Sequence, residues 1–220
     1  MRSMKAAEVV LDFELYPRNN VDSHNVGTII DAMVAGVELP PIIIDKKSKR
    51  VIDGFHRVKA HLRLLGDDAR INVIEKSYKN EAAMFLDAMR YNASHGARLD
   101  PCDRTHCIII AEKLGLTNDQ IAGALNMKPD KLGALRADRM ATSGGLNIAL
   151  KRTVRHLAGQ NLTERQNEAN DKLSGMNQQF YANQLIELIE SKMLDLSDAK
   201  LLERLRLLHD LLDGVLAVSK

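Results

Sequence analysis

The sequence predicts an α+β protein in three parts: a small mixed α/β unit over residues 1–97, a helical segment over 98–145 and a helical C-terminal region over 146–220. Three observations predict it. Short β-branched runs alternate with helical patterns up to Gly96, and strand-like runs nearly vanish beyond it. Thr142-Ser143-Gly144-Gly145 is the most linker-like stretch in the chain. After it, Leu201, Leu202, Leu205, Leu208, Leu211, Leu212 and Val215 form one stripe at spacings of three and four.

Val9 to Phe13 reads as a strand ended by Tyr16-Pro17, and Val26 to Val37 has helical spacing stopped by Pro40-Pro41. Ile42-Ile43-Ile44 is a short β-branched strand, and Arg50 to Asp53 reads as its hairpin partner. Phe55 to Leu65 has the pattern of a helix closed by Gly66. Arg70 to Glu75 alternates as a further strand, and Glu81 to Met89 is helical. Asp103 to Leu114 forms the next helix, ended by Gly115, and Thr117 opens another as an N-cap. Gln178 to Met193 and Asp198 to Val215 are amphipathic helices.

The 220 residues are 45% hydrophobic and 27% charged, enough apolar surface for a sizeable core and against a disordered chain. No run approaches the roughly 18 to 20 apolar residues of a membrane helix. The opening MRSMKAAEVVLDFE has acids where a signal peptide needs an apolar run, so a cytoplasmic location is expected. Cys102 and Cys107 are too few for a four-ligand zinc site and would point about 140° apart on a helix. They read as reduced structural thiols. Tryptophan is absent and aromatics are only 4%, which disfavours stacking on single strands.

The net charge of +2 conceals a local excess. Residues 98–155 carry ten bases against six acids, whereas residues 156–220 carry seven against ten. A basic stripe on a near-neutral chain is the footprint of a polyanion site, although charge alone more often describes a solvated helix face.

Residues 117–139, TNDQIAGALNMKPDKLGALRADR, have the spacing of a helix-turn-helix. Ala122 is small where two helices cross, and Asn126, four positions on, tolerates positive φ in the turn. Ile121, Leu125, Met127, Leu132 and Leu135 fall at inward offsets, and Pro129 suits a first helical turn. Lys128, Asp130, Lys131, Gly133, Ala134 and Ala137 would face outward. Several are tiny, so few could reach base edges. Arg136, Arg139, Lys151, Arg152 and Arg155 look like phosphate contacts, which position a protein on duplex DNA without reading sequence. With Lys128, Asp130 and Lys131 they make up the expected DNA-binding set.

Asp53-Gly54-Phe55-His56-Arg57 lies between an expected strand and an expected helix. A glycine turn followed by free N–H groups and a basic side chain can cradle a phosphate. It can equally be a hairpin end with Arg57 in a surface ion pair.

Here the chain resembles the ParB family over residues 6–140: a ParB/sulfiredoxin-type domain followed by a ParB-type helix-turn-helix domain. Leu15-Tyr16-Pro17-Arg18-Asn19 resembles the first ParB box, and Asp53 to Ala60 the second, Gly-Glu-Arg-Arg followed by an alanine. Asn92 with Arg98-Leu99-Asp100-Pro101 resembles the third, although His95-Gly96 occupies the region of its closing arginine. The resemblance implies binding of CTP with magnesium: Arg18, Gly54, His56 and Arg57 would hold the triphosphate, and Asn92 would help place the metal. It also implies a dimeric clamp on DNA acting in partition or transcriptional control, associated with the nucleoid. Phe55-His56 departs from the family's Glu-Arg, and Tyr91 replaces the glutamate tied to hydrolysis, so at most a weak CTPase activity is expected and no catalytic residue is singled out.

Enzymatic relatives share the cradle. Sulfiredoxin chemistry is excluded because Phe55 stands where its cysteine nucleophile would be. Asp53, Gly54 and Arg57 match the Asp-Gly-His-Thr-Arg version of free-serine kinases, which makes a small-molecule kinase the alternative function. The C-terminal stripe fits either packing within the chain or a homodimer interface; half-site reading favours the dimer.

Overall fold

The computed structural model describes residues 2–94 and 98–218, so His95 and Gly96 lie outside the described residues. The chain is an α+β protein that divides into two compact units, residues 1–175 and 176–220.

The first unit opens with strand β1 (Arg2–Lys5), then helix α1 (Ser23–Val34), strands β2 (Ile42–Asp45) and β3 (Val51–Asp53), helix α2 (Phe55–Leu65), strand β4 (Arg70–Lys76) and helix α3 (Glu81–Ser94). The four strands form one sheet in the order β1-β4-β2-β3, with β2 parallel to β4 and the other pairs antiparallel. Ile42, Ile44, Val51 and Val73 from the sheet pack with Phe55 and Val58 of α2, all buried. Burying such apolar side chains contributes roughly 1.5–3 kcal/mol each.

The expected strand over Val9 to Phe13 is not formed. Val10 makes a single bridge to Arg50, and Phe13–Leu15 is a 3-10 turn. The cause is local: the Asp12 carboxylate accepts the Glu14 N–H at 3.0 Å, an alternative to extended pairing. The strand lies earlier, at β1, where only Met4 of four residues is buried. So short a run leaves no alternation to read.

Helices α4 (Pro101–Lys113), α5 (Asn118–Ala124) and α6 (Pro129–Arg139) follow. Asp100 and Asp103 form a capping box on α4, and Thr117 and Gln120 one on α5. Such caps stabilise a helix by about 1 kcal/mol. Asn126, in the turn between α5 and α6, has φ of 51°. Ile108, Ile121, Leu125 and Leu132 join Phe85 and Met89 of α3 in a second buried cluster. Cys107 sits in that cluster with its thiol 3.0 Å from the Pro17 carbonyl, and burial pushes the Cys102 thiol up to about 12.

Thr142 to Gly145 is not a linker. Strands β5 (Met140–Ser143) and β6 (Leu146–Ala149) pair antiparallel across it, with Gly144 and Gly145 at φ of 57° and 80°. Two positive φ values are what a tight hairpin turn requires. Strand β7 (Asn161–Leu162) adds parallel to β5, and helix α7 (Glu164–Lys172) closes the unit. Asn170 on α7 is buried, donating to the Ala149 carbonyl at 3.0 Å and accepting the Lys151 N–H at 2.9 Å.

The second unit holds helices α8 (Gln178–Glu190) and α9 (Ala199–Val218). Among its described residues none reaches the burial of a core position.

Candidate functional site

The cradle is built by the turn from β3 into α2. Gly54 has φ of 106°, and a Cβ there would stand 2.7 Å from Ile42 Cδ1 and 3.0 Å from Arg57 Nη2. Only glycine fits both the backbone and the space. Arg57 folds back over this glycine. Its Nη2 donates to Asp53 Oδ2 at 2.7 Å and to the Pro41 carbonyl at 3.3 Å, while its buried Nε has no hydrogen-bond partner among the described residues.

These groups open onto a cleft of about 260 Å³. Its walls bring together Arg18, Gly54, His56, Arg57 and Asn92, the five residues expected from sequence to hold a nucleotide and its metal. They come from three separate stretches of chain. Asn25 and Ile29 of α1 and the Leu39-Pro40 loop complete the wall. Sequence reading missed these four; Pro40 registered only as a helix stop.

His56 does not present a positive charge. Its Nε2 accepts the Asp22 N–H at 3.3 Å and lies 3.4 Å from the Tyr16 hydroxyl. Burial and the neighbouring Arg18 push its pKa down to about 4, so at neutral pH the ring is uncharged with its proton on Nδ1. His56, one of the residues expected to hold the triphosphate, therefore stands in the cleft as a neutral ring beside the cation Arg57. Phe55, in the position that bars sulfiredoxin chemistry, stacks on Tyr16 with centroids 4.3 Å apart.

Arg18 reaches the cleft from the loop after Tyr16-Pro17, and its Nη1 stands 3.5 Å from Asp103 Oδ2 at the start of α4. Asn92, on α3, donates its amide to the Ala88 carbonyl at 2.9 Å. Tyr91 is not part of the cleft wall; its hydroxyl accepts from Lys76 Nζ at 2.5 Å. Among the described residues no group of three or more His, Cys, Asp or Glu side chains forms a metal cage.

The expected DNA-binding residues are scattered. Lys128, Asp130 and Lys131 are exposed at the start of α6. Arg136 is not a free arm: its guanidinium bonds Glu112 at 2.8 Å and Asn118 at 2.7 Å, clamping α6 to α4 and α5. Arg139 is buried and paired with Asp138. Lys151 is also buried, its ammonium donating to the Asp171 and Leu173 carbonyls. Arg136, Arg139 and Lys151 are therefore corrected from phosphate contacts to packing residues. Arg152 and Arg155 are exposed and line a second cleft.

No family model matches the chain. A curated relative, a Streptomyces griseus protein described as "Streptomycin biosynthesis operon possible regulatory protein", is 28% identical over 123 residues. That match covers 55% of this chain and 34% of the relative, so the chain spans about a third of that protein's length. Similar solved structures include the C-terminally truncated chromosome-partitioning protein ParB from Caulobacter crescentus complexed to the centromeric parS site. It shares 14% identity at a TM-score of 0.45, covering 62% of this chain and 71% of that chain. A Pnob8-like ParB-N domain shares 14% identity at a TM-score of 0.40, over 67% of this chain and 56% of that chain. The same Caulobacter crescentus protein complexed with CTP-gamma-S gives 14% identity and a TM-score of 0.36, over 62% of this chain and 77% of that chain. Scores this low leave the functional reading to rest on the chain's own residues.

Proposed function

We propose that the chain is a ParB-type, DNA-associated regulator, acting in partition or transcriptional control, whose cradle binds CTP with magnesium. One observation carries this reading: Arg18, Gly54, His56, Arg57 and Asn92, distant in sequence, share a single cleft. The fit is supported by two features of the cradle. Gly54 lets the Arg57 guanidinium lie directly against the backbone of the turn, and the Arg57 Nε is a buried donor with no acceptor among the described residues. Arg57 and the N–H groups at the start of α2 would hold the phosphates, with Arg18 contributing from the loop after Pro17. Asn92 would help hold magnesium, which takes most of its ligands from phosphate oxygens and water. The metal neutralises phosphate charge. Tyr91, held by Lys76 and away from the cleft wall, supports slow hydrolysis or none.

The DNA-facing part of this reading is the pair α5 and α6, with Lys128 and Lys131 as its exposed cations. The Streptomyces griseus relative's description as a possible regulatory protein agrees with it. A homodimer would supply two such readers for paired half-sites.

The test is calorimetric titration of CTP, ATP, GTP and UTP with magnesium against the full chain and Arg57→Ala, beside duplex binding at several salt concentrations. CTP preference lost in Arg57→Ala, with affinity for duplex falling steeply with salt, is the expected result. Silence with every nucleotide sinks the cradle reading. ATP-dependent phosphate transfer to a small hydroxyl substrate replaces it with the kinase.

A further inference from the structure

A second, larger cleft of about 800 Å³ lies in the same unit as the cradle, and six cationic side chains stand on its wall: Arg18, Arg98, Arg139, Lys151, Arg152 and Arg155. They arrive from four places in the chain: the loop after Pro17, the approach to α4, the end of α6 and the turn after β6. The carboxylates on the same wall are Asp22, Asp100 and Asp103. All three are already engaged at helix starts. Asp22 caps α1, and Asp100 and Asp103 cap α4, with Asp103 also taking Arg18.

Neutralisation of the cations is uneven. Arg139 and Arg155 share one carboxylate, Asp138, at 3.2 and 3.3 Å. Lys151 donates to backbone carbonyls, which carry no net charge. Arg98 and Arg152, both exposed, make no ion pair or side-chain hydrogen bond among the described residues. A concave wall with such an excess focuses a positive potential, and guanidinium forks match phosphate oxygens in pairs.

We propose that this cleft is a second anion site, distinct from the cradle, that takes a small oligophosphate. Its volume falls in the range of small-molecule sites. The shape argues against a duplex as occupant: the cations line a recess, whereas helix-turn-helix proteins present a projecting helix to DNA. Arg98 and Arg152 would grip the phosphates, and Arg155, exposed beside them, would frame them. Arg18 lines both clefts, so occupancy of one bears on the other through a single side chain.

The experiment uses inorganic tripolyphosphate as probe, titrated calorimetrically into the full-length chain, Arg98→Ala/Arg152→Ala, Arg155→Ala and Arg57→Ala. Thermal melts accompany each, and the exposed, unpaired positions of Arg98 and Arg152 should leave them unchanged. At least tenfold weaker binding in the double variant, a smaller loss in Arg155→Ala and retained binding in Arg57→Ala support the site. Unchanged affinity in the double variant overturns it. Loss of all binding in Arg57→Ala overturns it too, because the probe would then occupy only the cradle. A third outcome also overturns it: tripolyphosphate fails to bind while the double variant flattens the salt dependence of duplex binding, which makes the cleft a DNA surface.

Discussion

Arg18 and Asp103 form an ion pair with both side chains nearly withdrawn from water, 11% and 14% exposed, at 3.5 Å. The Asn19 N–H adds a second bond to the same carboxylate at 3.0 Å. The loop that reaches the cradle is thereby fastened to the first turn of α4, in the helical part that carries α5 and α6. Desolvation nonetheless holds the Asp103 carboxyl above its usual range, outweighing the Asn19 bond and the Arg18 charge.

That direction has a consequence for stability. A carboxyl with a raised folded pKa binds its proton more tightly in the folded chain. Its contribution therefore falls as pH rises through the ordinary carboxylate range towards the raised value, and is constant above it. Asp103→Asn should remove this slope. Denaturant melts between pH 3.5 and 7 check it, and a stability difference between wild type and variant that does not change with pH would refute it.

His56 predicts the opposite slope in an overlapping window. Its pKa is depressed to about 4 by burial first and by Arg18 second. The unfolded ring takes up a proton that the folded ring refuses. Stability from this group is complete above the ordinary histidine pKa and is lost as pH falls towards 4. His56→Gln, which can still accept the Asp22 N–H, should flatten that loss. If acid melts of the variant follow wild type, the ring is already charged in the folded chain.

Gly54→Ala should destabilise the chain by about 2 kcal/mol or more, since a φ of 106° strains any other residue. The added methyl also meets Ile42 Cδ1 and displaces Arg57. Nucleotide binding should disappear even where the fold survives at low temperature. A variant with wild-type melting and titration would show that the turn relaxes freely.

The helix from Phe55 to Leu65 and its glycine stop were legible because apolar period, turn residue and length agree there. The residues singled out for a cradle, each in a short motif, do come together on one cleft wall. Their surroundings were not. Asn25 and Ile29 enter the cleft through the packing of α1, which leaves no mark in the linear sequence. Charge was the least readable signal. Arg136, Arg139 and Lys151 have the same composition as a phosphate-binding stripe, yet Glu112, Asp138 and two backbone carbonyls claim them. Only tertiary structure tells a solvent-facing arginine from an inward one.

The exposed lysines of α6 are therefore the residues on which DNA binding is tested. Lys128→Ala/Lys131→Ala should lower the salt slope of duplex binding by about two units while leaving the melt unchanged. Arg136→Ala should do the reverse, lowering stability by up to about 1 kcal/mol through loss of its bonds to the exposed Glu112 and Asn118. Binding against salt, measured beside thermal melts, separates the two. An unchanged slope in the lysine variant sinks the assignment of α6 as reader.

The C-terminal unit carries the last prediction. Its two helices leave Leu211, Val215 and Leu216 each about 60% exposed, at 60%, 63% and 61%. Two helices this short bury too little apolar surface to be stable alone, and a second copy of the same stripe is the cover that a paired DNA reader would use. The cut that tests this belongs after Gly175, where the compact units divide. A cut after Lys151 would also strip Asn170 from the Lys151 N–H and the Ala149 carbonyl, mixing loss of assembly with loss of fold. Sedimentation should give a dimer for the full chain and a folded monomer for residues 1–175. Duplex binding by the truncated chain should weaken, because two linked readers gain from the second contact being intramolecular. A full-length chain that sediments as a monomer at micromolar concentration would show that the stripe serves some purpose other than self-association.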